Sequence, residues 1–104
     1  MNQIAFTMKL LPGFEKEYEK RHDEIWPELQ ALLKASGISD YHIFLDRSSN
    51  TLFAFQQTSG TSSSQDLGET ELVKKWWAYM ADIMETNPDN SPVTNPLTKV
   101  FTLK

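Results

Sequence analysis

The chain reads as an α+β domain with strand–helix–strand–strand–helix–strand order. This is the ferredoxin-like arrangement, one antiparallel sheet with two helices on one face. Three observations predict it. Apolar residues alternate over the first ten positions. They then recur at helical spacing over residues 14–35 and again over residues 70–84. Between the helical stretches lie two short runs rich in β-formers, separated by four polar residues. At 104 residues the chain is sized for one such domain, residues 1–104.

Residues 3–11 place Ile4, Phe6, Met8 and Leu10 on one side, the pattern of a half-buried strand, and Pro12-Gly13 ends it. At about 100° per residue, the next stretch gathers Phe14, Tyr18, His22, Ile25, Trp26, Leu29, Leu32 and Leu33 into one stripe. Glu15, Lys16, Glu19, Lys20 and Asp23 form the solvated side. Pro27 cannot donate to the carbonyl of Asp23, so a kink or break is expected near Trp26, and Gly37 stops the helix.

Residues 38–46 and 51–57 read as strands joined in a hairpin by Arg47-Ser48-Ser49-Asn50. The biased stretch 58–65, rich in Ser and Thr, reads as a surface connection. A second helix starts with Thr70 as N-cap and Glu71 in the first turn. Its stripe is Leu72, Val73, Trp76, Trp77, Met80, Ile83 and Met84. Residues 87–92 (Asn-Pro-Asp-Asn-Ser-Pro) read as an ordered loop, and residues 98–104 as the last strand. Leu52 and Ala54 share one side of their strand while Phe53 and Phe55 share the other. Apolar residues on both sides mean that both sheet faces are covered, and a second copy of the chain is the simplest cover.

Composition removes several classes of function. A net charge of −4 with no basic block argues against nucleic-acid binding. No apolar run is long enough to span a membrane, and no signal peptide is visible. With 0 cysteines the chain has no disulfide, iron–sulfur cluster or thiolate zinc site, which fits a reducing compartment. GxGxxG, P-loop, HExxH and GxSxG motifs are absent, leaving a cofactor-free activity or a binding role. His22 and His42 lack metal-ligand spacing, so no metal site is expected.

The residues of chemical interest are few. His22 lies inside the first helical stripe four positions after Tyr18, which brings both polar tips onto one face. Its imidazole titrates near neutrality and suits proton transfer, although pattern alone favours a structural histidine. His42 and Tyr41 point to opposite faces of their strand, and His42 reads as an ordinary sheet residue. Trp76 and Trp77 stand about 100° apart on their helix, so one can fill core while the other edges a pocket. Asp82 and Glu85 read as helix-end charge, with a proton-transfer pairing to His22 as the other reading. Polar tips in apolar surroundings beside indoles suit a small uncharged polar ligand.

Three segments carry a resemblance. Glu17-Tyr18-Glu19-Lys20-Arg21-His22-Asp23-Glu24-Ile25-Trp26-Pro27-Glu28-Leu29 resembles YxxRHxxIWPEL of the L-rhamnose mutarotase family. Trp76-Trp77-Ala78-Tyr79-Met80 resembles its WWxYM, and Asn87-Pro88-Asp89-Asn90-Ser91-Pro92-Val93 its NPDNSPV. The likeness runs nearly end to end. It implies a homodimeric ferredoxin-like protein of dimeric α/β-barrel type. Such a protein interconverts the α and β anomers of L-rhamnose without a cofactor, in the cytoplasm, feeding rhamnose breakdown. The family's proton donor falls on His22, and its sugar-binding positions fall on Tyr18, Tyr41, Trp76 and Trp77. One departure is Thr61 to Gly68, where the family carries bulkier, more charged residues and an aromatic. The alternatives are a cofactor-free monooxygenase-like enzyme of the same dimeric architecture, and a ligand-binding dimer without turnover.

Overall fold

Pro27 divides the first helical stretch in two. In the computed structural model, which describes residues 2–60 and 63–104, α1 (Glu15–Asp23) stops before Trp26 and α2 (Pro27–Ala35) starts at the proline. Trp26 takes an extended backbone (φ −61°, ψ 130°), as a residue before proline prefers. Pro27 then occupies the first helical position, where its missing N–H leaves no bond unmade. The expected break is therefore a change of direction, which separates Tyr18 and His22 on α1 from Leu29 on α2.

The sheet comprises β1 (Asn2–Lys9), β2 (Ile38–Asp46), β3 (Thr51–Thr58) and β4 (Asn95–Pro96), in the order β2-β3-β1-β4. Every pairing is antiparallel. β1 and β3 are matched from Asn2↔Thr58 to Lys9↔Thr51. Their inward side chains, among them Phe6, Met8, Leu52 and Ala54, are buried beneath the helices. The third helix, α3 (Glu71–Met80), adds Val73, Trp76, Trp77 and Met80, and Ile83 and Met84 follow it into the core. Thr70 is its N-cap residue as expected, but its side chain makes no capping bond.

The outer face of the sheet carries an aromatic patch among polar residues. Phe44 and Phe53 are cross-strand partners there, 68% and 40% exposed. The hairpin turn is ordered by Asp46, which accepts from the hydroxyls of Ser48 and Ser49. Asn50 takes the left-handed conformation (φ 54°) that asparagine tolerates.

Two expectations need correction. The last strand is not residues 98–104: β4 is only Asn95–Pro96, opposite Phe6 and Thr7 on β1. After the bond from Leu97 N–H to the Ala5 carbonyl (2.9 Å) the ladder ends, and Val100, Phe101 and Leu103 are 92%, 74% and 85% exposed. Alternation marks a segment able to be a strand; an edge must also be there to receive it. The stretch 58–65 is also not wholly a surface connection. Thr58 ends β3 buried, and Ser64 is buried at the start of a single 3₁₀ turn, Ser64–Leu67. That turn opens with a capping box between Ser63 and Asp66. Thr61 and Ser62 lie outside the described residues.

Candidate active site

A cleft of about 810 Å³ opens between α1, α2, β2 and α3, and Tyr18, His22, Tyr41, Trp76 and Trp77 all line it. Residues far apart in sequence are brought together because α1 and α3 lie on the same face of the sheet. Among the described residues, no helix is long and apolar enough to cross a membrane.

His22 lines the cleft with its ring orientation fixed by its own helix. Its Nδ1 lies 3.0 Å from the carbonyl oxygen of Tyr18, one turn earlier on α1. A carbonyl only accepts, so Nδ1 carries the hydrogen and Nε2 holds the lone pair. The ring lies against Tyr18 (centroids 4.3 Å) and meets Trp76 edge-on (5.5 Å, 89°). Burial pushes the imidazole below its ordinary value of 6.5; the Tyr18 bond and the charge of Asp23 oppose that only in part. At neutral pH the ring is thus an uncharged acceptor at Nε2. Among the described residues no buried side-chain nitrogen or oxygen lacks a partner and Nε2 bonds to none of them, so Nε2 is not buried, and His22 lines the cleft.

Both phenols are held in the neutral form. Burial, then the proximity of Tyr41, raises Tyr18 well above 10.0, and burial raises Tyr41, with a Ser64 bond opposing. They are hydrogen-bonding groups rather than bases. Tyr41 reaches the cleft through an irregularity in β2. The register passes from Ser39↔Gln57 to His42↔Phe55, so one extra residue is taken up. Asp40 absorbs it in a left-handed conformation (φ 47°). Ile38 before the bulge and Tyr41, Ile43 and Leu45 after it therefore all face the core.

Opposite the bulge sits Gln56, fully buried on β3. Its Oε1 accepts from Ser64 N–H (2.8 Å) and its Nε2 donates to Ser64 Oγ (3.0 Å). Ser64 Oγ in turn donates a long, 3.5 Å bond to the Tyr41 hydroxyl. One amide thus fixes the 3₁₀ turn beside the cleft.

Trp76 and Trp77 are each 8% exposed, and both edge the cleft. Trp76 also meets Trp26 edge-on (5.1 Å). Of the other candidates, His42 is exposed and has no place in the site. Asp82 does not approach His22 as a partner; its carboxylate binds Arg21, which holds it below its ordinary value.

The L-rhamnose mutarotase family model matches residues 3–103. The chain belongs to that family. Membership places it among isomerases. It is 64% identical over 101 residues to the L-rhamnose mutarotase of Bacteroides thetaiotaomicron, covering 97% of each chain. The mutarotase of Clostridium beijerinckii is 52% identical with 100% of both chains covered. Its fold matches the crystal structure of an L-rhamnose mutarotase from Formosa agariphila with a TM-score of 0.93, at 54% identity and with both chains wholly covered. These matches favour neither the monooxygenase-like reading nor the binding dimer.

Four residues that line the cleft or support its walls were not singled out from the sequence: Ser64 lines it, Gln56 bonds Ser64, Gly68 packs on Trp77 and Arg21 bonds the Tyr79 carbonyl. Gln56 left a signal, since it falls on the inward side of β3 in line with Leu52 and Ala54, where a polar side chain needs a partner. Ser64 and Gly68 lie in the segment that departs from the family pattern and left none. Arg21 lay within a recognised motif without a role of its own.

Proposed function

We propose that this chain interconverts the α and β anomers of L-rhamnopyranose, with His22 moving the proton. Support comes chiefly from the Nδ1 bond to the Tyr18 carbonyl, which leaves Nε2 as the atom available to a sugar in an aromatic-lined cleft. Because burial keeps the ring neutral, Nε2 first takes the proton of the anomeric hydroxyl as the bond from C1 to the ring oxygen breaks and C1 becomes an aldehyde. The same nitrogen then gives that proton to the ring oxygen. Rotation about C1–C2 presents the other aldehyde face, and the steps reverse. His22 is thus the proton donor at the ring oxygen, loaded by the substrate itself. Positioned proton transfer of this kind typically contributes about 100- to 10,000-fold.

Tyr18 and Tyr41, kept neutral, bind the sugar through hydroxyl hydrogen bonds. Trp76 and Trp77 present indole faces to its C–H groups and exclude water. Saturation-transfer NMR on equilibrated rhamnose tests the activity: magnetisation exchanged between the anomers in proportion to enzyme supports it, and no exchange above the buffer rate rejects it.

The working form is a homodimer in the cytoplasm, each subunit a single domain. Phe44 and Phe53 on the outer sheet face, with Val100, Phe101 and Leu103 on an unpaired terminal segment, make an apolar surface that a second copy would cover. The lack of cysteine suits a reducing compartment.

A further inference from the structure

We infer that Arg21 is a positioning residue, a latch that ties α1 to the C-terminal end of α3 and so holds the His22 ring against Trp76. The inference rests on the mutarotase reading of the cleft. Arg21 Nη1 donates to the Tyr79 carbonyl and to Asp82 Oδ1, each at 2.8 Å, and Nη2 reaches Asp82 Oδ2 at 3.3 Å. Nε donates to Glu17 on its own helix at 2.7 Å. The guanidinium also lies 4.4 Å from the Tyr79 ring centroid. A side chain only 11% exposed thus engages acceptors on two helices at once.

Placement gives the latch its meaning. Tyr79 is in the last turn of α3, where carbonyls lack intrahelical partners and the helix dipole is negative. Trp76 is one turn earlier on α3, and His22 directly follows Arg21 on α1. The tie from Arg21 to Tyr79 therefore lies beside the edge contact from His22 to Trp76. A lysine keeps the charge but cannot reproduce a planar fork aimed at a carbonyl and two carboxylates. Misplacing a reacting group by about 1 Å can cost about 100-fold in rate.

The test compares Arg21→Met, Arg21→Lys and Asp82→Asn with the parent. Two readouts are taken: kcat and KM for anomer exchange, and the sugar-free NMR positions of the His22 ring protons, which Tyr18 and Trp76 shift. Arg21→Met is expected to lower kcat by about 10- to 100-fold with a much smaller change in KM. It should also move the His22 signals towards those of an exposed histidine, with Arg21→Lys recovering part of both effects. His22 signals at parent positions in folded Arg21→Met overturn the latch, whatever the rate does. Should Arg21→Met not fold, Asp82→Asn decides instead, since that side chain is 67% exposed: parent-like ring signals and kcat overturn the inference. If the parent itself does not exchange anomers, the functional reading fails, and the ring signals alone judge the latch.

Discussion

Gly68 packs closely against the indole of Trp77: a Cβ added at Gly68 would stand 2.6 Å from Cζ3 and 2.7 Å from Cη2 of that ring. Its backbone is ordinary helical (φ −63°), so the glycine is needed for closeness and not for conformation. Gly68→Ala must push the indole into the cleft or the turn away from it. The expected result is weaker rhamnose binding with a stability loss of about 1–3 kcal/mol, as overpacking typically costs. Titration calorimetry and thermal unfolding check it, and parent-like affinity in the variant would remove Trp77 from the binding site.

His22→Asn keeps a hydrogen-bonding tip but has no group that titrates near neutrality. The variant is expected to fold and bind sugar while anomer exchange falls at least about 100-fold. Exchange NMR measures the fall, and Tyr18→Phe serves as the milder comparison. Parent-like exchange in folded His22→Asn would make His22 structural and send the proton elsewhere.

The pH dependence has a definite sign. Folding lowers the His22 pKa below its unfolded value, so between the two the unfolded chain binds more protons. The neutral ring's contribution to stability is therefore complete above about pH 6.5 and is lost as pH falls through the lower folded value. Exchange should likewise rise with pH and level off, with its midpoint below 6.5, because the neutral ring starts the cycle. Polarimetric rates across pH 4–8 read this, and a rate that declines above the midpoint would make the protonated ring the starting form.

Gln56→Met removes both bonds to Ser64 at nearly constant volume. It strands the buried Ser64 N–H, at a cost of about 1–3 kcal/mol for an unsatisfied group. Urea unfolding should show the loss, and rhamnose affinity should fall with it because Tyr41 loses its Ser64 contact. A variant as stable as the parent would mean that water replaces the amide.

Sedimentation equilibrium at micromolar concentration should give twice the 12.0 kDa chain mass. Removing residues 97–104 should shift it towards the single-chain mass, since Val100, Phe101 and Leu103 leave with that segment. A full-length chain that sediments at 12.0 kDa would reject the dimer.

Periodicity carried most of the architecture. Alternation located β1 to β3, a 3.6-residue stripe located the helices, and Pro27 announced the break at Trp26 because its constraint is local. The terminal strand was misplaced because alternation does not identify an edge. The five cleft residues were legible through motif resemblance, whereas pattern alone left His22 looking structural. The carbonyl that sets its tautomer lies one turn back on α1 itself, whereas the aromatic wall against Trp76 depends on packing between α1 and α3. A bulge at Asp40 leaves no periodic trace, and the inward position of Gln56 does not name Ser64 as its partner.

The bulge lets Ile38 and Tyr41, an odd number of positions apart, face the same side of the sheet. Asp40 is exposed but left-handed, so glycine or asparagine should replace it almost unnoticed while a β-branched residue should cost stability. Deleting Asp40 would restore strict alternation. Ile38 and Tyr41 would then stand two positions apart and both still face the core, with no bulge needed to bring them there. A lineage can thus lose position 40 more readily than it can place a β-branched residue there.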